Sequence, residues 1–391
     1  PDAHIGSIST DHLTYALLDE KGSVTDLVTH ANGTLIMETN GTYTFRLNNS
    51  SAAVQALGAG KTLEETFTVQ VSDGNDGITT AELVVTINGT NDAPVLSLYA
   101  GDSAVSGSGS ILHVTDGSES LTVSGKAIAH DIDTSDTLYL HLTDFTQKHP
   151  GTSSTSITYG DTPNSFITQL VYAKEDHGVW TQTSNSSAVK MGTFVLCSDG
   201  SYKFMGDKDG IAQLGQGDKL NVSVGIGVDD GHNSVDEGTI TVSITGTNTA
   251  PVITGFTNTV LDDVAPLSGA EYTAPVLTGL VGAKDVDGDS ASTDYYIKSG
   301  DSLVRELSND YGTLKIEDGG RYTFTLNAKG EALLRSLGTN ETLYNAKLST
   351  FDFTVVVKDQ YNATGTDTLH IDLKGINDTP TVSNYTASLS V

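Results

Sequence analysis

The stretches AHDIDTSDTL (129–138) and AKDVDGDSAS (283–292) set carboxylates at near-alternate positions: Asp131, Asp133 and Asp136 in one, Asp285, Asp287 and Asp289 in the other. Alternate residues of an extended segment point the same way, so such side chains can converge on one cation. The chemistry on offer is hard-oxygen coordination. Calcium accepts about six to eight oxygens at ~2.3–2.6 Å and tolerates irregular shells, whereas zinc takes His or Cys and magnesium keeps its waters. An EF-hand is not spelled, because its distal Glu and flanking helices are missing. The bland alternative is an Asp-rich turn capped by its own backbone. Recurrence at matched positions favours Ca2+.

Further oxygen ligands come from a second repeated element: INGTNDAP (87–94), ITGTNTAP (244–251) and LKGINDTP (373–380). Asn91 and Asp92 precede Pro94, and Asn377 and Asp378 precede Pro380. Pro holds the entering backbone extended and can start an edge strand without forfeiting a ladder bond, so these stretches read as joints between units. The middle joint has Asn248-Thr249 in place of Asn-Asp, so an ion there has lost a carboxylate or is absent. Turn residues Asp73, Asp76, Asp229, Asp230 and Asp359 are additional candidates, with solvated turns as the equal alternative.

The elements that must position these groups repeat as well. GTLIMETNGTYTF (33–45), GTFVLCSDGSYKF (192–204) and GTLKIEDGGRYTF (312–324) are each an alternating strand, a Gly turn and a second strand. Period-two alternation around such a turn predicts a hairpin. A short helical or turn segment follows, as in SSAAVQALGAGKTL, and then two long strands such as FTVQVSDG and the run into the joint. No long 3.6-period segment intervenes. Tandem antiparallel β-sandwiches of immunoglobulin-like type, in a linear array, are therefore predicted. The joints give units 1–94, 95–251 and 252–380, with 381–391 opening a fourth and the first unit lacking its first strands.

Composition narrows the function. The 391 residues carry 49 Asp+Glu against 20 Lys+Arg, a formal charge of −29. Such a surface repels phosphate backbones and anionic lipid, which disfavours nucleic-acid and membrane-surface roles. Apolar runs are strand-sized, so no membrane insertion is expected. Cys197 is the single cysteine and reads as a half-exposed structural thiol. No signal peptide is legible and the chain opens mid-pattern at Pro1, as expected of a piece of something larger.

Against the third unit, the second carries added sequence at about 143–190, Ser/Thr-rich between Phe145, His149, Tyr159, Phe166, Tyr172, His177 and Trp180. An insertion of this size is a decorated loop with extra strands or a recognition site. Tyr172 and Trp180 could stack on a sugar face while His149 or His177 bonds hydroxyls, although an isolated Trp is more often a packing residue.

The DxDxxD-like turn, GTLxxxxxGxYTF, AVQALGAGKTLEETFTVQVSDG and GTNDAP together resemble the VCBS and cadherin-like repeats of giant bacterial RTX-type adhesins, most closely over 31–94. The resemblance implies type I secretion, a place at the bacterial cell surface, and roles in adhesion or biofilm formation. The joint resembles the calcium-binding linker of cadherins, which implies that Asp92 and Asp378 share ions with adjoining units.

Three functions follow as expectations. The first is a monomeric, calcium-stiffened extender whose partners are the adjoining repeats of its own chain. The second is a glycan- or peptide-binding module made by the insertion. The third is a set of accessory repeats of a secreted hydrolase. No nucleophile elbow, HExxH or phosphate-cradling loop is present, so catalysis is not expected.

Overall fold

A computed structural model of the chain describes residues 12–101, 103–104, 110–118, 120–143, 156–160, 166–263, 274–288, 294–338 and 351–376. Alternation dictates the local structure. In Lys219–Asp229, Leu220, Val222, Val224, Ile226 and Val228 all point inward and are at most 1% exposed. A strand buried on one face must meet a second layer, and it does so in each unit.

In the first unit a four-stranded sheet, with Thr14–Leu18 beside Thr62–Ser72, faces a three-stranded sheet built on the hairpin Gly33–Met37 and Tyr43–Leu47. Leu17, Leu35, Met37 and Phe67 fill the space between them. The second unit is larger, with five strands over seven and a core around Phe194, Tyr202, Phe204 and Ile226. The third has a core around Tyr322, Phe324, Phe351 and Phe353, enclosed mainly by sheets of four and five strands.

The repeated GT…F of the hairpins has a packing cause. The rings of Phe45, Phe204 and Phe324 lie over Gly33, Gly192 and Gly312, where any Cβ would collide with them. A buried tyrosine adds a second recurring device. Tyr202 Oη donates to Tyr99 O at 2.7 Å, and Tyr322 Oη donates to Thr257 O at 2.5 Å. Burial pushes both phenols up, Tyr322 to about 12. In the first unit the matching Tyr43 is 51% exposed, and among the described residues Tyr43–Leu47 pairs on one edge only.

The sandwiches are not wholly antiparallel. After pairing with Thr122–His130, the chain crosses to the other sheet, where Ser110–Thr115 runs parallel to Val235–Thr245. Val260–Asp262 does the same beside Asp372–Lys374.

The inserted segment contributes strands rather than a loop where it is described. Phe166–Asp176 pairs with Val189–Cys197 and turns into Val179–Thr183, widening one sheet. The short helices Ala52–Gln55, Lys208–Ile211 and Ala328–Arg335 occupy the predicted helical or turn segments. Cys197 is half-buried opposite Phe166. Among the described residues no helix is long and apolar enough to cross a membrane.

Candidate metal centre

Three strand ends converge on the first joint. Thr122–His130 delivers Asp131, Asp133 and Asp136, Lys219–Asp229 delivers Asp230, and Ile78–Asn88 leads into Asn91 and Asp92. Asn91 Nδ2 donates to Asp230 Oδ2 at 2.8 Å, and Asp92 N donates to Asp133 Oδ2 at 2.7 Å. The joint is thereby tied to both loops of the second unit. The first unit also reaches it, since a Cβ on Gly58 would sit 3.1 Å from Asp136 Oδ1.

These bonds use one side of each group. Asn91 Oδ1, Asp131 Oδ2, Asp133 Oδ1 and Asp136 Oδ2 are buried with no hydrogen-bond partner, although His232 Nδ1 stands 3.3 Å from the last of them. Asp131, Asp136 and Asp230 present carboxylate oxygens within 4.8 Å of one another. Burial, with the charges of Asp133, Asp136 and Asp230, pushes Asp131 above the usual carboxylate range despite the Asp133 N–H it accepts. Burial works the same way on Asp230, but hydrogen bonds from Asn91, His232 and Ser234 outweigh it and hold that pKa low. Buried oxygens without donors are costly, and like charges so close repel. An all-oxygen set of this kind fits calcium. A bound ion would supply the positive charge that lets these oxygens face one another.

The second joint repeats the network. Asn248 Nδ2 donates to Asp359 Oδ2 at 2.8 Å, and Thr249 N donates to Asp287 Oδ2 at 2.8 Å. Asp285 and Asp359 are 7% and 4% exposed, and Asn248 Oδ1 is buried without a hydrogen-bond partner. Gln216 Oε1 accepts from Asn248 N at 3.0 Å, a tie for which the first joint offers Ala59 at the matching place.

The sequence candidates therefore separate. Asn91, Asp131, Asp133 and Asp136 come together with the turn residue Asp230. At the second joint Asp287 and Asp359 are each bonded to the linker, through Thr249 N and Asn248 Nδ2, and Asp285, close to Asp287 in sequence, is buried. Asp92 is exposed and joins through its backbone N–H, and Thr249 does the same, so exchanging one for the other leaves that bond intact. Asp73 caps its own turn, accepting from Asn75 N and Gly77 N, which hold its pKa low. Asp289, Asn377, Asp378 and His149 lie outside the described residues. Two close-approach glycines of the joints, Gly89 and Gly246, sit against the matching stretches LGAG at 57–60 and LGQG at 214–217. A Cβ on Gly89 would strike the Leu57 and Gly58 carbonyls, and one on Gly246 those of Leu214 and Gly215.

Tyr172, His177 and Trp180 do not form one site. His177 stands exposed at the hairpin tip, and Tyr172 is half-buried next to the inward-facing Ala173. Only Trp180 of the three packs on the core and lines a cleft.

No protein-family model matches the chain, and no curated protein matches it. Among solved structures it is similar to PcdhgB3 EC1-4 at 11% identity and TM-score 0.38, covering 94% of this chain and 67% of that one. Human CDH23 EC21-23 matches at 15% identity and TM-score 0.34, over 93% and 89% of the two chains. The human Desmocollin-1 ectodomain matches at 12% identity and TM-score 0.26, and the chain spans 53% of its length. The fold itself is established by the sheets and cores described above.

Proposed function

We propose that this chain is a calcium-stiffened extender: successive β-sandwiches in the extracellular part of a surface adhesin, holding a distal binding domain away from the cell. The reading carries no catalytic role. The observation that supports it best is the set of buried oxygens at the first joint that accept no hydrogen bond, drawn from the linker and from the second unit. Groups so placed need a cation, and a cation there fixes the direction in which one unit leaves the next. The acidic balance of the chain adds to this, since like charges soften a rod from which the ions are removed.

The motifs of the hairpins and joints favour a bacterial setting, with export by type I secretion and a part in adhesion or biofilm formation. Extracellular calcium modules bind at about 10⁻⁴ to 10⁻³ M, so such sites empty in the cytosol and fill outside. A chain of this kind is pliant during export and stiff afterwards. Small-angle scattering with and without a chelator tests it. The expected result is a loss of the extended maximum dimension in chelator, and an unchanged scattering profile overturns it.

A further inference from the structure

A cleft of about 790 Å³ lies where the second unit meets the third. One part of its lining comes from the inserted hairpin, with Lys174 and Trp180. A second part comes from the helix Lys208–Ile211 and the residues after it, with Asp209, Gln213 and Asp218. Val286, Asp287 and Gly288 of the third unit complete it.

The lining is held in place before any ligand arrives. Gln182, two residues past Trp180 and so on the same strand face, clamps the opposite sheet with both ends of its amide. Ser223 N donates to Gln182 Oε1 at 2.7 Å, and Gln182 Nε2 donates to Ser223 O at 3.0 Å. Trp180 packs against the core on one side and lines the cleft as well. The polar groups are similarly fixed. Lys190 Nζ is 3.2 Å from Asp207 Oδ2, Gly215 N donates to Asp218 Oδ2 at 3.0 Å, and Gln213 Nε2 donates to Asp209 O at 3.4 Å. Pre-ordered groups cost a ligand little entropy on binding.

We propose that this cleft binds a neutral oligosaccharide. An indole face accepts the C–H face of a pyranose, while the carboxylates, amide and ammonium around it match hydroxyls as donors and acceptors. The volume falls within the ~300–1,000 Å³ usual for small-molecule sites. Charge decides against acidic ligands. Glu175, Asp207, Asp209, Asp218 and Asp287 stand against Lys174 and Lys190, and Lys190 already pairs with Asp207. Phosphorylated, sulfated or sialylated groups are repelled by such a lining. A groove for an amphipathic peptide has a continuous apolar floor, whereas large apolar contact here is limited to Trp180, Val189 and Val286 among charged groups. Although Val179–Thr183 is an edge strand, its Trp180 and Gln182 side chains are already engaged with the core and the opposite sheet. The inference differs from the extender reading in resting mainly on the insertion and the helix Lys208–Ile211. It shares Asp287 with the second joint, so the titration is run in calcium and the variants avoid that residue.

Trp180 is the single tryptophan of the chain, so emission excited at the red edge, where the chain's tyrosines do not absorb, reports on this residue alone. The test titrates the full chain, in millimolar calcium, with maltotriose, cellotriose, N,N′-diacetylchitobiose, lactose and mannotriose. Sialyllactose and a pooled peptide mixture serve as counter-probes. The expected result is a saturable change in emission with at least one neutral saccharide and none with the counter-probes. Gln213→Ala and Asp209→Asn, which retain the reporter, are expected to weaken that binding ~10-fold, as is Trp180→Phe followed by calorimetry. If Trp180→Phe fails to fold, the two polar variants still decide. Silence toward every neutral saccharide, or a response to sialyllactose or peptide alone, overturns the proposal. Calorimetric saccharide binding that leaves Trp180 emission and the polar variants unaffected overturns it equally.

Discussion

The two joints share a hydrogen-bond network while differing in the residues that carry it. Asn91 and Asp230 at the first are matched by Asn248 and Asp359 at the second, with the same 2.8 Å bond. Asp92 and Thr249 differ in charge yet do the same thing, each giving its N–H to a carboxylate of the next unit, buried Asp133 at the first joint and half-buried Asp287 at the second. The side chain that a sequence comparison weighs most heavily is thus the one the geometry uses least. The second joint adds Gln216, and its Asp287 also lines the cleft beside Trp180.

Removing calcium gives the largest expected effect. At about 1 mM calcium and extracellular affinities of about 10⁻⁴–10⁻³ M, each filled site contributes about 0.4–1.4 kcal/mol, and the contributions of the several sites add. Melting in chelator is therefore expected to fall by several degrees, and loss of the effect in Asp133→Asn but not in Asp287→Asn would split the joints apart. Next come Gly89→Ala and Gly246→Ala, which drive a methyl into backbone carbonyls. Each is expected to cost about 1–3 kcal/mol by denaturant unfolding, with equal losses if the joints are equivalent.

A smaller effect separates the second and third units by pH. Burial opposes protonation of His370, but its bonds to Asp352 and Asp372 outweigh this and raise its pKa. The folded value lies above the unfolded one, so this stabilisation is full at pH below the unfolded value and fades as pH rises through the folded one. The second unit has Thr241 and Ser243 at the matching places, so a pH-dependent melting difference that disappears in His370→Gln is expected. Smallest of all is the exchange Asp92→Thr with Thr249→Asp. Because the hydrogen bonds at the joints use only the backbone of these two residues, stability is expected to move by less than ~0.5 kcal/mol in denaturant unfolding without calcium.

Much of this was legible because it is local. Alternation and the Gly turns write each hairpin into about a dozen residues, and the joints announce themselves by repetition. What depends on distant pairing was hidden. The tie of Asp92 N to Asp133 spans 41 residues, and that of Asn91 to Asp230 spans 139, so no spacing rule shows that Asp92 enters by its backbone. The parallel strand Ser110–Thr115 looks like any other in sequence, because alternation records which face is buried and not which neighbour lies alongside. In the insertion, Ile167, Val171 and Ala173 do face inward in hindsight, but the Gln182 clamp that crosses between sheets leaves no periodic trace.

The joint glycines have a consequence for how such chains evolve. With Gly89, Gly246 and Gly375 each seated against the main chain of a loop earlier in its own unit, the point where the linker leaves each module is set largely by peptide atoms that every sequence possesses. Outer surfaces can drift, acquire a hairpin such as 166–183, or be shuffled in order, while the coupling between neighbours stays interchangeable.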